Sequence, residues 1–487
     1  MRLGKVAIQS MAILLFVLIG TNGFAQSLMP TVGGGASETA VTELPDPLTP
    51  EAANALISRL SDSEVRALLL DQLETQEVDE EASAAGLAEF IYHATSGAGL
   101  TVIEAIRRVP LAFTKQGEAF SNFAARFEGS GLLNLFGSLA IVIAVAAAAE
   151  LLFRRVARPW LKLPPQMNED ATIRETVSLL FKRLMGQVGA VLVFFIVAGI
   201  ITHNAIPEDY RPFIGLFVPM LIVLPRMARA ISRFLMAPDN PAYRFVHTND
   251  QTAKAIAFHM FWLTILLGFT FFLLAFNAAN GVPGGETRIG FWLNLSVHIY
   301  LAIIIWRYRE GLVMMMRGSE TDVSPMEARI ARAFPIFGIA VTFGTWWVVS
   351  IVTSYGNFAL LLSLPHYITM FLLLLAPAMD TLIRGLVHHL SPPMTGEGPI
   401  AARAYYAAKR SYIRIGRVIV FGLVLMIIGR FWGMTPGGLA SAGVGERLAA
   451  NMIQFLMIIS VGYIVYELVS LYIKRNLAQE QTSAGYE

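Results

Sequence analysis

Long apolar segments recur from residue 131 to the end of this 487-residue chain, and they constrain its fold more than any other feature. Hydrophobic residues make up 55% of the chain and charged residues 15%, against roughly 45–50% and about 25% in soluble domains. This composition excludes a soluble globular protein. We predict an all-α polytopic membrane protein with about nine transmembrane helices arranged as helical hairpins.

Nine segments have, or approach, the roughly 20 apolar residues that a spanning helix needs. They are Leu132–Phe153, Leu184–Thr202, Pro212–Leu224, Ala255–Phe276, Gly290–Trp306, Ala333–Tyr355, Phe358–Met379, Val418–Gly429 and Leu448–Tyr466. The third and eighth reach only 13 and 12 residues before an arginine, a length also typical of re-entrant or interfacial segments. Segments two to nine are predicted to pair in order as four hairpins.

The distribution of positive charge decides whether the short segments span. If all nine cross and the N-terminus is outside, 25 Lys and Arg fall on the inner side and four in the outer loops between spans, as the positive-inside rule requires. Removing either short segment would move basic residues to the wrong face. We therefore expect both to span, with Arg226, Arg417 and Arg430 extending toward the interface. This predicts a bacterial inner-membrane protein with a cytoplasmic C-terminus.

The first 25 residues have the pattern of a cleavable secretory signal. Arg2 and Lys5 precede an apolar run, and small residues lie before Gln26. The alternative is an uncleaved first membrane helix. We predict a flexible linker over 26–47, a small periplasmic helical segment over 48–130, the membrane region over 131–476 and a cytoplasmic linker over 477–487.

The exported segment contains one conspicuous helix. Thr101 and Glu104 have capping-box spacing, which predicts a helix start there and a kink at Pro110. Phe113, Phe120, Phe123 and Phe127 follow at helical spacing. This phenylalanine stripe indicates either core packing or a helix that lies in the outer headgroup region.

The spans that return to the inner face end in a similar pattern. These ends begin at Pro225, Trp306, Asp380 and Glu467, which are 81, 74 and 87 residues apart, and this spacing favours a repeated unit of about 80 residues. Basic residues here and before segment eight are predicted to anchor the protein on anionic lipid headgroups. The lipid-anchoring candidates are Arg226, Arg229, Arg233, Arg307, Arg309, Arg410, Arg414 and Arg417.

The sequence assigns no catalytic chemistry. It has no cysteine and no nucleotide, dinucleotide, hydrolase or zinc-protease motif, so we expect no enzyme, no cofactor, no metal site and no nucleic-acid partner. The ionisable residues of the membrane segments are Glu150, His203, His259, His298, His366, Asp380, Arg430 and Glu467. The carboxylates lie near segment ends, where hydration costs little. The lack of a carboxylate near the midplane disfavours a coupled transporter.

Several parts of the chain resemble a known family. A signal peptide precedes Leu48-Thr49-Pro50-Glu51 and Leu60-Ser61-Asp62-Ser63-Glu64-Val65-Arg66, and paired helices end in Tyr466-Glu467-Leu468-Val469 and Ile473-Lys474-Arg475. In these features the chain resembles the MscS family of mechanosensitive channels, specifically the large, moderate-conductance bacterial members. The resemblance implies ion conduction, osmotic protection and a heptamer in which extra hairpins surround a pore.

One departure limits what the resemblance implies. The glycine- and alanine-rich pore helix and the cytoplasmic β-rich vestibule of the family do not appear before Glu487. We therefore expect the tension-sensing N-terminal portion of a channel subunit, whose pore module is not seen in this sequence, and we carry over no pore residue. The alternatives are a multipass secondary transporter or permease and a non-channel membrane scaffold. The lipid bilayer is the expected partner in each case.

Overall fold

The protein is an all-α polytopic membrane protein, as predicted. The computed structural model describes residues 92, 95–127, 129–162, 173–318, 324–354, 361, 364–391, 399–433 and 444–483, and no strand occurs within these ranges. The predicted signal peptide, the linker over 26–47 and the first half of the exported segment lie outside the described residues.

Two helices precede the membrane region, and eleven follow among the described residues, besides the four-residue helix Gly284–Thr287. The first two are α1 (95–107) and α2 (Val109–Ala125). The others are α3 (Gly131–Ala157), α4 (Val177–Ala205), α5 (Glu208–Met236), α6 (Asp250–Ala279), α7 (Ile289–Arg307), α8 (Arg309–Arg317), α9 (Pro325–Ser354), α10 (Pro365–Leu374), α11 (Ala376–Leu390), α12 (Pro399–Phe431) and α13 (Val444–Ser483). Eight of these helices can each cross a membrane by length and composition, and the bent pair α10–α11 brings the number to nine if it is counted as one span.

The third and eighth predicted segments are confirmed as parts of helices of spanning length. Helix α5 has 29 residues, and the apolar part of α12, Tyr405–Phe431, has 27. Both helices continue past the arginines that interrupt the apolar pattern. The short apolar runs therefore underestimate the helices: Arg226 and Arg417 pair with carboxylates of neighbouring helices, and Arg430 is exposed one residue before the end of α12.

The seventh segment differs from the prediction of one continuous span. Its two helices, α10 and α11, meet at Leu375 with a bend of 51°. Pro377 lies in the first turn of α11, and a proline has no N–H to donate and clashes with the carbonyl four residues back. The apolar run thus predicts the two helices, and the proline accounts for the bend between them.

The segment before the first span and the C-terminus also differ in detail from the prediction. The predicted helix start at Thr101 is wrong, because α1 already covers 95–107 and the Thr101 hydroxyl donates to the Gly97 carbonyl at 3.0 Å. The helix is interrupted at Arg108, next to the kink expected at Pro110. At the other end, α13 continues to Ser483, so the segment 477–487, predicted as a linker, begins as helix.

The spans pack mainly on their neighbours in the chain. One buried apolar cluster joins α3, α4 and α5 through residues such as Val142, Phe194 and Ile214. Two further clusters join α6 to the helices up to α11. Helices α12 and α13 pack on each other, and α12 also contacts α10 and α11. The predicted hairpins are therefore continuous with one another, because the helix that ends one also packs on the helix that begins the next.

A close backbone approach joins α5 to α6. Residues Val218–Val223 of α5 form a π-helical turn that contains Pro219. This turn presents the Met220 carbonyl to Gly268, where a Cβ atom would lie 2.0 Å from the carbonyl oxygen. The absence of a side chain at Gly268 is what allows the two helices to meet.

Replacing Gly268 by alanine is expected to destabilise this contact, because the added methyl group must displace backbone. Overpacking costs roughly 1–3 kcal/mol, so detergent-solubilised Gly268→Ala should lose its monodisperse size-exclusion peak at a lower temperature than the unmodified chain. Gly344→Ala is the matched control, since nothing lies within 4 Å of a methyl group there. Equal midpoints for the two variants would contradict the close approach.

Candidate functional site

Three buried carboxylates lie toward one end of the bundle. We define the basic end as the end at which α3, α5, α7, α11 and α13 finish and α4, α6, α9 and α12 begin. The exposed fractions of Glu150, Asp380 and Glu467 are 4%, 7% and 2%. The expectation that they are hydrated near helix ends is therefore wrong. A carboxylate buried in this way needs a cation beside it, and each of the three has an arginine from another helix.

Glu150 of α3 is bound by two arginines. Arg226 of α5 donates to Oε1 at 2.6 Å and also contacts Oε2, and Arg154, one turn along α3, donates to Oε1 at 2.8 Å. The Arg226 guanidinium also lies 4.8 Å from the ring centroid of Phe194 in α4. This site therefore ties together the first three spans.

Asp380 lies at the centre of a second site. Arg417 of α12 donates through Nε to Asp380 Oδ1 at 2.6 Å and through Nη1 to Glu327 Oε1 at 2.7 Å. Arg384, one turn along α11, donates to Asp380 Oδ2 at 2.8 Å. One guanidinium thus bridges carboxylates on α9 and α11.

A capping box positions Glu327. Ser324 donates to Glu327 Oε2 through its hydroxyl at 3.1 Å and its backbone N–H at 3.3 Å, and the Glu327 N–H donates back to Ser324 Oγ at 3.2 Å. The capping box fixes the first turn of α9, where Pro325 also favours a helix start. Glu327 therefore meets Arg417 from an ordered helix terminus.

The third site joins the last two spans. Arg414 of α12 lies 3.5 Å from Glu467 Oε1 of α13. Asp380 and Glu467 begin equivalent returning ends in the proposed repeat, and both pair with an arginine of α12. The repeat was therefore a sequence signal for these two sites, although it did not identify their partners.

The lipid-anchoring candidates fall into two groups. Arg226, Arg414 and Arg417 contact the carboxylates described above, and the extension of Arg226 and Arg417 to the lipid interface stays a prediction. The remaining contacts are those of Arg229 with the Phe261 ring, Arg233 with Asp239, Arg307 with the Tyr308 ring and Arg309 with the Trp306 ring, while Arg410 is exposed on α12. Contact of any of these residues with lipid headgroups stays a prediction.

Sequence reasoning missed Arg183. This buried residue of α4 donates to the backbone carbonyls of Tyr243, Arg233 and Phe234, so it caps the C-terminal end of α5 and holds the connection to α6. Carbonyls at a helix end lack intrahelical partners, and a cation satisfies them. The available signal was an arginine directly before the second apolar segment.

A neutral polar cluster lies deeper in the bundle, where α7 meets the start of α10. Asn294 donates to the Tyr367 hydroxyl at 2.9 Å and contacts His366 Nε2 at 3.4 Å. The ring of His298 stacks on that of His366 with centroids 6.5 Å apart, and its Nδ1 lies 2.8 Å from the Asn294 carbonyl oxygen. Asn294 Oδ1, His298 Nε2 and His366 Nδ1 have no hydrogen-bond partner.

An ion pair also forms at the opposite end of the bundle. Arg288, directly before α7, donates to Glu104 Oε2 of α1 at 2.7 Å. This hydrogen bond lowers the pKa of Glu104 below its ordinary value of 4.5. Because the pKa of Glu104 is lower in the folded protein than in the unfolded chain, the ion pair stabilises the folded protein at pH values above 4.5. This stabilisation is lost as the pH falls through the lowered pKa.

No protein-family model, curated protein or solved structure matches this chain. Within the part of the chain that the structure describes, no group of three or more His, Asp and Glu residues is placed to hold a metal ion. We therefore interpret the ion pairs at the basic end as links that couple the positions of neighbouring helices.

Replacing Arg417 by glutamine is expected to destabilise the meeting of α9, α11 and α12, since Asp380 and Glu327 both lose its positive charge. Breaking a fully buried ion pair costs roughly 3–5 kcal/mol, and because the Arg417 side chain is 31% exposed, we expect a loss of about 2 kcal/mol, measured as a lower thermal midpoint in size exclusion.

The double variant Glu327→Gln, Arg417→Gln should recover part of that loss, since Glu327 then no longer lacks a cation and Asp380 keeps Arg384. Arg332→Gln is the control, because Arg332 is exposed and donates to the carbonyl of Ala328 on its own helix. If the midpoint of Arg417→Gln equals that of the control, the bridge contributes nothing.

Proposed function

We propose that this chain is the tension-sensing N-terminal membrane portion of a mechanosensitive ion channel subunit of the bacterial inner membrane. In this proposal α1 and α2 are periplasmic and the basic end is cytoplasmic. Ion conduction and osmotic protection belong to a pore module that residues 1–487 do not contain, and the subunits form a homo-oligomer, a heptamer by family resemblance.

The observation that carries the proposal is the small buried fraction of each of the eight helices that can cross a membrane alone. In the most apolar 18 residues of α13, 17% are buried, and the largest fraction, in α4, is 33%. Spans that pack chiefly on their chain neighbours expose most of their surface to lipid. A membrane protein with such a large lipid-facing surface is well suited to respond to the state of the bilayer.

The bent helices supply places where such a response can occur. A conformation is favoured by tension only if the states differ in their interaction with the membrane, for example in the area that they occupy in its plane. The π turn of α5 and the bend at Leu375 interrupt regular hydrogen bonding within spans, so neighbouring segments can tilt there. The ion pairs at the basic end would transmit the tilt of one span to the next.

The charge distribution and the family resemblance agree with this proposal. Basic residues concentrate at one end of the spans, which the positive-inside rule assigns to the cytoplasm. The quoted motifs in the exported segment and in the last helix resemble those of MscS-family channels. Neither observation depends on the buried fraction of the spans.

The interior polar cluster favours a second candidate, a secondary transporter or permease. Transporter sites often lie beside a discontinuous helix within the membrane. His366 and Tyr367 begin the interrupted span α10–α11, and the partnerless atoms of the cluster could bind a polar solute. In that case Asn294 and His298 would contribute to specificity.

Pressure-clamp recording separates the two candidates. Liposome patches that contain the purified 487-residue chain should carry no stretch-activated current, because no span is polar along a whole face. Spheroplasts that express the entire gene should carry such a current, and Arg417→Gln should shift its pressure threshold while Arg332→Gln leaves it unchanged.

Two outcomes would overturn the sensor proposal. One is a stretch-gated current from residues 1–487 alone, which would place a pore within them. The other is pressure-independent uptake of a solute that Asn294→Leu abolishes, which would favour the transporter.

A further inference from the structure

Helices α1 and α2 form a single element across one end of the bundle, and we call residues 95–125 the surface helix. It passes the ends of four spans in turn. The contacts, in order, are Gly97 with Ser354 at the end of α9, the Ala105 carbonyl with the Trp292 indole N–H of α7, Asn122 with the Asn280 carbonyl after α6, and Phe123 with Phe213 of α5. The surface helix therefore lies across the spans, at the level where they end.

The face that packs on the spans is made of small residues. Ala98, Ala105, Ala112 and Ala119 recur every seven residues and are all buried, with exposed fractions between 0% and 8%. Residues seven apart lie on one face of a helix. The surface helix is therefore held close to the bundle along this alanine face.

A polar flank binds the connection between α6 and α7. Arg108 donates to the Gly285 carbonyl at 2.9 Å, Asn122 donates to the Asn280 carbonyl at 2.9 Å, and Lys115 lies 4.0 Å from Glu286. The connection joins the ends of two spans, so it lies beyond the hydrocarbon core. The polar flank therefore faces the aqueous side.

An apolar stripe occupies the opposite side. Ile106, Phe113 and Phe120 also recur every seven residues, and their exposed fractions are 57%, 79% and 54%. Phe113 precedes Lys115 by two residues, and two residues turn a helix by about 200°. The stripe therefore points away from the polar flank. The phenylalanine stripe read from the sequence divides accordingly: Phe123 and Phe127 pack against the bundle, Phe113 is the most exposed, and Phe120 is exposed on one side while its ring centroid lies 5.2 Å from that of Phe276 in α6.

We propose that the Ile106–Phe113–Phe120 stripe inserts into the lipid leaflet at that end of the bundle. Water lies on the side of the polar flank and the bundle lies against the alanine face, so the stripe faces the bilayer that surrounds the spans. Amphipathic helices in this position bury their apolar face about 5–10 Å into the headgroup and acyl boundary. The surface helix is thus a lipid-binding element, whether or not the chain belongs to a channel.

Site-specific labelling tests this proposal, because the chain has no cysteine of its own. Phe113→Cys and Phe120→Cys are labelled with the fluorophore NBD and reconstituted, as the full chain, in phosphatidylcholine liposomes containing lipids doxyl-labelled at carbon 5. The matched control is Glu118→Cys, whose side chain is exposed on the same helix. Doxyl lipid should quench the labels at 113 and 120 several-fold more strongly than the label at 118, and aqueous iodide should show the reverse order.

Iodide quenching at 113 and 120 that equals quenching at 118, without doxyl quenching, would overturn the proposal and indicate water or a protein partner at the stripe. Each variant is first checked for a monodisperse size-exclusion peak. If either phenylalanine variant fails to fold, Ile106→Cys provides an equivalent position in α1. A silent channel recording would not affect this result, because the readout is membrane depth and not conduction.

Discussion

A carboxylate buried between apolar helices needs a cation beside it, and this requirement determines how the spans meet at the basic end. Glu150 brings together α3 and α5, Asp380 and Glu327 share Arg417 between α9, α11 and α12, and Glu467 joins α13 to α12. Apolar side chains specify these helix–helix contacts less strictly than ion pairs do, because lipid tails are as apolar as leucine and compete for the same surfaces. The ion pairs therefore fix the relative positions of helices that otherwise offer lipid a broad surface.

Two of the spans that these ion pairs connect contain an interruption in the helix. The π turn of α5 and the bend between α10 and α11 both contain prolines, and both lie within spans whose basic ends are held by arginine contacts. A span that is held at one end and interrupted in its middle can change its tilt without breaking the ion pair. This combination is what the tension-sensor proposal requires of its moving parts.

The sequence predicts the spans well, because long apolar runs have few alternatives in a membrane, and the charge distribution correctly retains the two short segments. It does not predict side-chain partners, since Glu150 and Arg226 are 76 positions apart and no local pattern links them. The capping-box spacing at Thr101 misleads because the same residues serve another purpose: Glu104 binds Arg288, and the Thr101 hydroxyl donates within its own helix. The bend at Leu375 could have been predicted from Pro377.

The most direct measurement of the central claim is a distance between spin labels at the basic end as the bilayer changes. Val156→Cys in α3 and Tyr406→Cys in α12 provide exposed positions on distant spans, and Leu133→Cys with Leu152→Cys in α3 is a control pair on one helix. A tension sensor of this kind gives a shifted distance distribution between 156 and 406 when thick bilayers are replaced by thin ones, with no change in the control pair. Identical distributions between 156 and 406 in both bilayers would contradict it.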